Sequence, residues 1–304
     1  MIQMTAINIT VPATTANLGA GFDCIGAALT LYNQFKFTPI DSGFSISVSG
    51  LEAQKVSTDD SNLAYQSFVK FYQHRGEKTP PVNIEIKLDV PLARGLGSSA
   101  TAIVGGLMGA NHLAGLPLSQ EEIIEMAIAI EGHPDNVVPA LLGGCRLAAS
   151  GDNWAICDVP WHESIIPVVA IPDFELSTAE ARRVLPTQVS RADAIFNTAH
   201  LGLLIRALQT GRADWLKVAL QDRLHQPYRQ GLIHGFEAVQ TAALEAGALG
   251  LVISGAGPTL LALVDKIQAA NVERAISLAW QSAGVTVDVR SLNLDSQGAR
   301  ADVI

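Results

Sequence analysis

A turn rich in glycine and serine, residues 91–101, constrains this chain more than any other feature of its sequence. It consists of Pro91-Leu92-Ala93-Arg94-Gly95-Leu96-Gly97-Ser98-Ser99-Ala100-Thr101. The run before it, 82–88, alternates apolar and polar residues like a strand, and the small residues of 101–114 are typical of a helix. Such a turn leaves several backbone N–H groups unpaired at the positive end of the helix dipole. We therefore predict an anion site here, and the usual anion is a nucleotide phosphate.

The turn matches neither of the two common phosphate-binding glycine motifs. No lysine follows Gly97, as G-x-x-x-x-G-K-[S/T] requires, and the spacing is not that of G-x-G-x-x-G. The alternative interpretation is that Gly-x-Gly only permits tight packing between a strand and a helix. Ser98 and Ser99 favour a ligand instead, since two small hydroxyls on a first helical turn could hold a phosphate oxygen or a magnesium ion.

The acidic balance of the chain argues against one class of partner. Its 304 residues carry a formal net charge of −9, whereas the phosphate backbone of a nucleic acid requires lysine and arginine surfaces. Hydrophobic residues make up 48% of the chain and charged residues 16%, which indicates a globule with a filled core. We predict no nucleic-acid partner, although local amides and a metal ion would still allow ATP to bind.

Cysteine usage and the apolar runs favour a cytoplasmic protein without a membrane segment. Cys24, Cys145 and Cys157 fit neither a disulfide framework nor a zinc site, and we expect small buried residues in a reducing compartment. Residues 1–10 contain neither the basic region nor the apolar block of a signal peptide. The longest apolar run, 251–264, holds two glycines and one proline and is too short to span a bilayer.

Predicted strands and helices are interleaved along the chain. Strands are predicted at 7–11, 35–38, 44–48, 82–88, 165–171, 250–254, 259–264 and 285–289. Helices are predicted at 62–72, 101–114, 119–130, 192–209, 213–220, 235–245 and 268–282, and a further apolar segment at 137–142. A loop is expected at 12–23. A composition shift at 150–153 and the fresh strand from Ile165 predict two domains, 1–160 and 161–304.

Two local signals sharpen the helix predictions. Ser119 and Glu122 have the spacing of a capping box, which predicts a helix start. Gly105, Gly106 and Gly109 make the helix at 101–114 intrinsically unfavourable. We expect these glycines to mark close packing against a neighbouring element.

Three segments of the chain, taken together, carry a family resemblance. They are residues 11–23 (VPATTANLGAGFD), the turn 91–101, and residues 254–263 (SGAGPTLLAL). In that order and at those separations they resemble the three motifs of the GHMP small-molecule kinases, named for galacto-, homoserine, mevalonate and phosphomevalonate kinases. The resemblance covers essentially the whole chain. Four finer matches, at 12–23, 132–136, 176–182 and 227–229 before Gly235-Phe236, resemble the homoserine-phosphorylating members.

The resemblance implies a fold and an activity. The expected fold is α+β with two domains: an N-terminal ribosomal-protein-S5-like domain with a left-handed βαβ unit, and a C-terminal ferredoxin-like domain. The active site is expected in the cleft between them. The implied reaction transfers the γ-phosphate of ATP to the side-chain hydroxyl of L-homoserine, giving O-phospho-L-homoserine for threonine biosynthesis. This makes the protein a phosphotransferase with an alcohol group as acceptor.

The resemblance also implies a magnesium site. Glu131 is the implied carboxylate ligand, with Ser98 or Ser99 as the hydroxyl ligand, and these hard oxygens suit octahedral Mg²⁺. The sequence departs from the family because Glu131 and His133 are separated by one glycine, so Glu125 is an alternative ligand. Without the family, a solvated helix-end glutamate would be the simpler interpretation of Glu131.

The substrate would be a small zwitterion with a primary hydroxyl, and the resemblance supplies a residue for each group. Arg182 and Arg229 are carboxylate anchors, since a guanidinium fork matches a carboxylate. Asp23 suits the ammonium group. Completing the pocket are Asn17, His133, Asp135, Asn136 and Thr259. Each histidine or arginine, taken alone, could instead be structural or form an ordinary surface ion pair.

Asn136, expected at the reacting hydroxyl, bears on mechanism. Relatives such as mevalonate kinase place an aspartate here that can act as a general base, but an asparagine cannot accept a proton at neutral pH. Phosphoryl transfer depends mainly on positioning and charge neutralisation. We therefore predict catalysis without a strong side-chain base, in which Asn136 aligns the hydroxyl.

For the nucleotide, the resemblance places Asn62 beside adenine and residues 91–101 around the phosphates. Lys87 could reach a phosphate or be a plain strand-edge lysine. Two other functions stay open: a GHMP kinase for another small alcohol such as mevalonate, and a non-catalytic nucleotide-binding sensor. Apolar surface in the C-terminal domain would allow a homodimer.

Overall fold

The protein is built on two β-sheets, and the computed structural model describes residues 6–304. The strands of the first sheet are β1 (Ile7–Ala16), β2 (Ile25–Pro39), β3 (Phe44–Gly50), β4 (Val82–Leu88), β5 (Cys145–Ala149), β6 (Ala155–Asp158) and β11 (Arg300–Val303). Their order is β11-β1-β2-β4-β3, with β5 paired to β2 and β6 to β5. All pairs are antiparallel except β3 and β4.

The parallel pair β3 and β4 forms a βαβ unit, because helix α1 (Leu63–His74) connects them. Asn62 caps this helix, accepting hydrogen bonds from the backbone N–H groups of Ala64 and Tyr65. The unit agrees with the predicted N-terminal domain, and the left-handedness of its crossover connection stays a prediction.

The second sheet has the order of a ferredoxin-like domain, as predicted. Its strands are β7 (Ile165–Pro172), β8 (Ala248–Ile253), β9 (Leu260–Asp265) and β10 (Val287–Ser291). They lie in the order β10-β7-β9-β8, and every pair is antiparallel. Helices separate β7 from β8 and β9 from β10 in the chain, which is the βαββαβ arrangement.

The remaining helices cover these sheets. They are α2 (Ser98–Leu113), α3 (Gln120–Glu131), α4 (Pro134–Leu142), α5 (Thr178–Arg183), α6 (Arg191–Thr210), α7 (Ala213–Ala219), α8 (Gln226–Arg229), α9 (Phe236–Glu245) and α10 (Ala269–Ser282). Short 3₁₀ turns occupy residues 53–55 and 230–232. The capping box at Ser119 is confirmed. No helix within residues 6–304 has both the length and the apolar character needed to cross a membrane.

Helix α2 packs closely against the first sheet through its glycines, which confirms their predicted role. A Cβ atom on Gly105 would lie 2.5 Å from the ring of Phe35, and one on Gly109 would lie 2.3 Å from that of Phe37. The helix therefore approaches β2 more closely than any larger residue would allow. This contact fixes where the first turn of α2 lies.

The first two strands are longer than predicted. Residues 12–16, expected as loop, continue β1, and β2 forms one strand from Ile25 rather than a short piece at 35–38. Both stretches are buried along most of their length, so neither shows the polar–apolar alternation of a half-exposed strand. The loop prediction was wrong for this reason.

The end of the chain returns to the first sheet. Strand β11 pairs with β1, and Ile7 lies opposite Val303. A buried apolar cluster also joins the sheets, with Leu18 and Ile25 from the first half and Val169 and Leu261 from the second. We keep 1–160 and 161–304 as the proposed division, with β11 crossing back. Of the N-terminal segment 1–10, residues 1–5 lie outside the described residues.

Candidate active site

Two adjoining cavities flank the turn at residues 91–101. The first, the polar cavity, has a volume of about 310 Å³ and lies between the turn, α4, α5 and the Gly255–Gly257 segment. The second, the apolar cavity, also has about 310 Å³ and is lined mainly by β2, β4 and the start of α1. Ala93, Ser98 and Ser99 line both cavities. The cavities therefore meet at the N-terminus of α2.

Contacts from distant segments hold the turn in place. Its carbonyl oxygens accept hydrogen bonds from Thr14 N at 3.1 Å, Leu176 N at 3.2 Å and Thr259 N at 3.2 Å. Ala93, Gly95 and Gly97 have positive φ angles of 51°, 76° and 67°. The carbonyls are thus engaged by the surrounding protein, while the first amides of α2 have no intrahelical acceptor. This geometry is suited to an anion.

The residues of the turn divide into those that face a cavity and those that support it. Cavity-lining members are Leu92, Ala93, Arg94, Gly95, Gly97, Ser98, Ser99 and Thr101. Pro91, Leu96 and Ala100 line neither cavity and are buried. The guanidinium of Arg94 is committed to structure, since it donates to the carbonyl oxygens of Leu92, Pro172 and Asp173.

Ser99 and Glu131 come together beside the start of α2. The hydroxyl of Ser99 donates to Glu131 Oε1 at 2.7 Å. Burial raises the pKa of Glu131, although Ser99, His133 and Arg182 oppose that shift. Gly132, at φ 90°, ends α3 and turns the chain so that both Glu131 and His133 line the polar cavity.

The predicted alternative ligand lies elsewhere. Glu125 is exposed on α3 and lines neither cavity. The short spacing between Glu131 and His133 therefore does not displace Glu131 from the cavity. Among the described residues, no group of three or more His, Cys, Asp or Glu side chains is placed to hold a metal ion. A cation here would depend on two protein oxygens together with phosphate and water, as Mg²⁺ commonly does.

Charged side chains line the far side of the polar cavity. Arg182 pairs with both oxygens of Asp23, at 2.9 and 3.0 Å, and this pair is partly exposed. Arg229 is only 1% exposed. It donates through Nε to Ala181 O and through Nη1 to Gly255 O, each at 3.1 Å. Burial, together with the charge of Arg182, lowers the pKa of Arg229.

Asn17 and Asp23 have positive φ angles, 61° and 54°, which are unusual for residues other than glycine. The amide of Asn17 donates to Gly255 O at 2.9 Å, and its Oδ1 accepts from Asp23 N at 2.8 Å. Backbone strain of this kind is concentrated at functional sites. Here it directs two polar side chains into one cavity.

A chain of hydrogen bonds orients the start of α4. His133 Nδ1 lies 2.6 Å from Asp135 Oδ1, and Thr14 Oγ1 donates to Asn136 Oδ1 at 2.8 Å. Asn136 Nδ2 donates to Asp135 Oδ1 at 3.3 Å. Burial opposes protonation of His133, but the hydrogen bond and charge of Asp135 raise its pKa overall. One Nδ2 hydrogen of Asn136 is used within this chain, which leaves the other for a ligand.

Outside the turn, three predicted site residues line neither cavity, and one of them is Asp135, which is buried and accepts a hydrogen bond from Asn136. The Nζ atom of Lys87 lies 3.6 Å from Asp89 Oδ2 on an exposed strand face, and Lys87 lines neither cavity. Thr259 is fully buried, and its Oγ1 has no partner among the described residues. Asn62 does line the apolar cavity.

The structure adds residues that sequence reasoning missed. Lys55 lines the apolar cavity, and its Nζ contacts Glu52 at 2.6 Å and Glu175 at 2.5 Å. Ser177 and Thr178 line the polar cavity and begin α5. The segment 176–182 was singled out as a motif, so these two had a signal. Lys55 had none, because its partner Glu175 is distant in sequence.

Comparison with known proteins identifies the class. The family model described as GHMP kinases N terminal domain matches residues 62–144, and that described as GHMP kinases C terminal matches 204–282. The mevalonate kinase of L. major, in complex with R-mevalonate, shares the fold, with a TM-score of 0.69 at 16% identity over 95% of each chain.

Relatives within one branch are much more similar. The chain is 68% identical to the homoserine kinase of Nostoc punctiforme over 303 residues, covering 99% of this chain and 100% of that one. The crystal structure of homoserine kinase from Cytophaga hutchinsonii matches with a TM-score of 0.90 at 28% identity, over 99% of this chain and 98% of that chain. The chain therefore belongs to the GHMP kinases, in the family of homoserine kinases.

Proposed function

We propose that the protein transfers the γ-phosphate of ATP to the side-chain hydroxyl of L-homoserine, giving O-phospho-L-homoserine for threonine biosynthesis. One observation carries this proposal: a single cavity holds anchors for a zwitterion at one end and the Ser99–Glu131 pair beside an anion-binding helix start at the other. The 68% identity to a homoserine kinase supports the choice of substrate.

The zwitterionic end of homoserine would be bound by Asp23, Arg182 and Arg229. The Asp23–Arg182 pair presents one charge of each sign, so the ammonium and carboxylate groups each meet an opposite charge. Arg229 uses Nε and Nη1 for backbone carbonyls, and Nη2 has no protein partner among the described residues. That nitrogen is suited to a carboxylate oxygen.

Magnesium fits the residues at the other end. Ser99 and Glu131 are hard oxygen donors, and burial of the Glu131 carboxylate makes a neighbouring cation favourable. We propose that these two side chains hold Mg²⁺, with Ser98 at the edge of the site. Mg²⁺ neutralises phosphate charge when it is bound.

The reacting hydroxyl would be aligned by Asn136, whose available Nδ2 hydrogen can donate to the hydroxyl oxygen. That oxygen forms the new bond to the γ-phosphorus as the bond from phosphorus to the β-γ bridging oxygen breaks, and ADP leaves. The hydroxyl proton passes to the transferred phosphate, because the amide of Asn136 cannot accept it at neutral pH. Positioning, rather than base strength, then governs the rate.

The nucleotide would occupy the apolar cavity. Its walls are formed by side chains such as Phe35, Leu63 and Ile86, which suit an adenine ring, and Asn62 lies at the same cavity. The phosphates would then reach the start of α2, where the two cavities meet. We place the enzyme in the cytoplasm. Exposed Leu244 and Leu278 belong to a surface on which a homodimer would form, which size-exclusion chromatography tests.

The function is tested with purified protein and magnesium ATP. ADP release is measured with homoserine, mevalonate and galactose at equal concentrations. We expect turnover with homoserine and none with mevalonate or galactose. Absence of homoserine phosphorylation would overturn the proposal, turnover of mevalonate would indicate another small-alcohol kinase, and nucleotide binding without any turnover would indicate a sensor.

Removal of the Asn136 amide is expected to lower turnover with little change in ATP affinity. For Asn136→Ala we predict a kcat lower by about tenfold to a hundredfold, since misalignment of a reacting group has effects of that order. Steady-state kinetics at saturating homoserine and ATP measure it. Thr14→Val, which removes only the hydroxyl that orients Asn136, should give a smaller loss in the same direction. Wild-type kcat in Asn136→Ala would refute the alignment role.

Removal of Lys55 is expected to weaken ATP binding. Without its ammonium group, Glu52 and Glu175 would keep only Arg94, at 3.5 and 3.4 Å, as a shared counter-ion beside the cavity proposed for the nucleotide. For Lys55→Ala we predict an ATP KM raised by about threefold, with an unchanged homoserine KM. Lys36→Ala, which breaks an ion pair with Glu85 on the sheet, is the matched control. The same assay on Lys87→Ala shows whether that lysine contacts a phosphate or is a strand-edge lysine. We expect an unchanged ATP KM.

A further inference from the structure

We propose that Phe22 is a positioning residue for the carboxylate of the substrate, acting through Arg229, and that His225 holds its ring in place. The inference deepens the proposed function and rests on it. Three side chains, those of Arg229, Phe22 and His225, stack beside the polar cavity. The guanidinium carbon of Arg229 lies 5.0 Å from the centroid of the Phe22 ring, and His225 stacks on that ring at 5.1 Å with an interplanar angle of 19°.

Arg229 needs such a support because of its surroundings. It is almost completely buried, yet it forms no ion pair with any carboxylate in the described part of the chain, and its two hydrogen bonds go to backbone carbonyls. A buried cation over an aromatic face gains more than an exposed one does, since water competes less. Phe22 therefore supplies a contact that keeps the guanidinium in place without using the N–H groups that a carboxylate would bind.

The same ring also touches the second anchor. Arg182 places its guanidinium carbon 5.9 Å from the Phe22 centroid. Phe22 precedes Asp23, the partner of Arg182, in the chain. One aromatic side chain thus lies beside all three charged groups of the zwitterion site.

His225 is built to hold the ring and not to titrate. It is fully buried, and its Nε2 donates to Gly19 O at 3.2 Å. Burial lowers the pKa of His225 despite the nearby charge of Asp222, so the imidazole is neutral at neutral pH. A neutral ring can stack on Phe22 without adding a second positive charge beside Arg229.

Asp222 ties this stack to the helix that carries Arg229. Its carboxylate accepts hydrogen bonds from the backbone N–H groups of Leu224, His225 and Gln226, at 3.0, 2.8 and 2.7 Å. These residues lead into α8, where Arg229 N bonds to His225 O at 3.1 Å. The position of Arg229 is thereby coupled to the position of His225 and its partner ring.

The experiment compares two ligands that differ at the carboxylate. Homoserine is the substrate, and 3-aminopropan-1-ol, which has the ammonium and hydroxyl groups but no carboxylate, is the competing inhibitor. For Phe22→Leu we expect a homoserine KM raised by about tenfold, consistent with loss of a desolvated cation–π contact. The kcat, the ATP KM and the inhibition constant of 3-aminopropan-1-ol should stay within about twofold of wild type. Phe22→Tyr, which keeps the ring, should restore the homoserine KM.

A second arginine–phenylalanine–histidine stack supplies the matched control. Phe196 is half-buried, as Phe22 is, and does not line the polar cavity. Its ring centroid lies 3.6 Å from that of His200, and the guanidinium carbon of Arg223 lies 3.9 Å from the Phe196 centroid. Phe196→Leu should leave both ligand constants unchanged.

Three outcomes would overturn the inference. The first is an unchanged homoserine KM in a folded Phe22→Leu variant. The second is an equal rise in the homoserine KM and in the inhibition constant of 3-aminopropan-1-ol. The third is a homoserine KM that stays raised in Phe22→Tyr. Phe22→Met serves if the leucine variant melts at a much lower temperature. A wild-type protein that does not phosphorylate homoserine would refute the proposed function instead, before any variant is made.

Discussion

Replacement of Glu131 by glutamine is expected to lower turnover by about a hundredfold or more, as loss of one preorganised charge-stabilising group does. The amide keeps the shape of the side chain and can still accept the hydrogen bond from Ser99. It lacks the negative charge that a magnesium ion would require. Initial rates over a range of Mg²⁺ concentrations measure the effect, and more Mg²⁺ should recover only part of the lost rate.

The same variant should be at least as stable as the wild type at neutral pH. Because burial raises the pKa of Glu131 above its value of 4.5 in the unfolded chain, the folded state binds this proton more tightly. Its contribution to stability is therefore largest below that value and is lost as the pH rises through the folded pKa. Glutamine carries no charge to desolvate, so thermal unfolding at pH 7 should show an equal or higher Tm.

Glu125→Gln, on an exposed face of the same helix, is the comparison for this prediction. It should leave both the rate and the Mg²⁺ dependence unchanged. A loss of Mg²⁺ dependence in Glu125→Gln, with normal kinetics in Glu131→Gln, would mean that the metal assignment is wrong. An equal loss of rate and of Tm in Glu131→Gln would mean that the residue is structural.

Replacement of Gly97 by alanine is expected to abolish most activity and to destabilise the fold by about 2–4 kcal/mol, from a left-handed backbone and a clash in a packed site. The added Cβ would lie 2.0 Å from Thr14 Oγ1 and 3.1 Å from Asn136 Oδ1. It would therefore push on Asn136, the side chain proposed to align the hydroxyl, and distort the N-cap of α2 at the same time. Denaturant unfolding and steady-state kinetics measure the two effects.

Replacement of Gly76 by alanine separates the effect of the steric clash from the cost of the left-handed backbone. Its φ of 68° nearly equals the 67° of Gly97, and a Cβ there would meet nothing within 4 Å. Gly76→Ala should therefore be destabilised only by the left-handed conformation, about 1–2 kcal/mol, with normal activity. Equal effects in the two variants would show that contact with Thr14 and Asn136 is unimportant.

Local patterns predicted those parts of the fold whose causes are local. The alternation at 82–88 and the capping box at Ser119 each depend on near neighbours in the chain, and both were confirmed. The close packing of the α2 glycines was also confirmed, but the strand they pack against could not be named from the sequence. The continuation of β1 to Ala16 could not be read in this way. Residues 12–16 are buried without alternation, and their pairing with β2 shifts register between Pro12 and Ala13.

For the site, residues within recognisable motifs were predicted and residues between motifs were not. Asn17, Glu131 and Asn136, which belong to such motifs, line the polar cavity, and their roles stay predictions. Lys55 and His225 carry no pattern of their own, because their roles depend on Glu175 and on Phe22, far away in sequence. Lys87 had a suitable position in the chain, but its side chain lies on the face of β4 opposite to Ile86 and Leu88, which line the apolar cavity.

The sequence by itself determined the glycine- and serine-rich turn at 91–101 that begins a helix, and the class of kinase to which the chain belongs. Glycine conformation and the unpaired amides of a helix start are properties of adjacent residues. Only the tertiary structure decided which charges and rings meet. Arg182 and Asp23 are 159 residues apart, and His225 and Gly19 are 206 apart. Such contacts exist because two sheets share one core and bring distant segments to a single cavity.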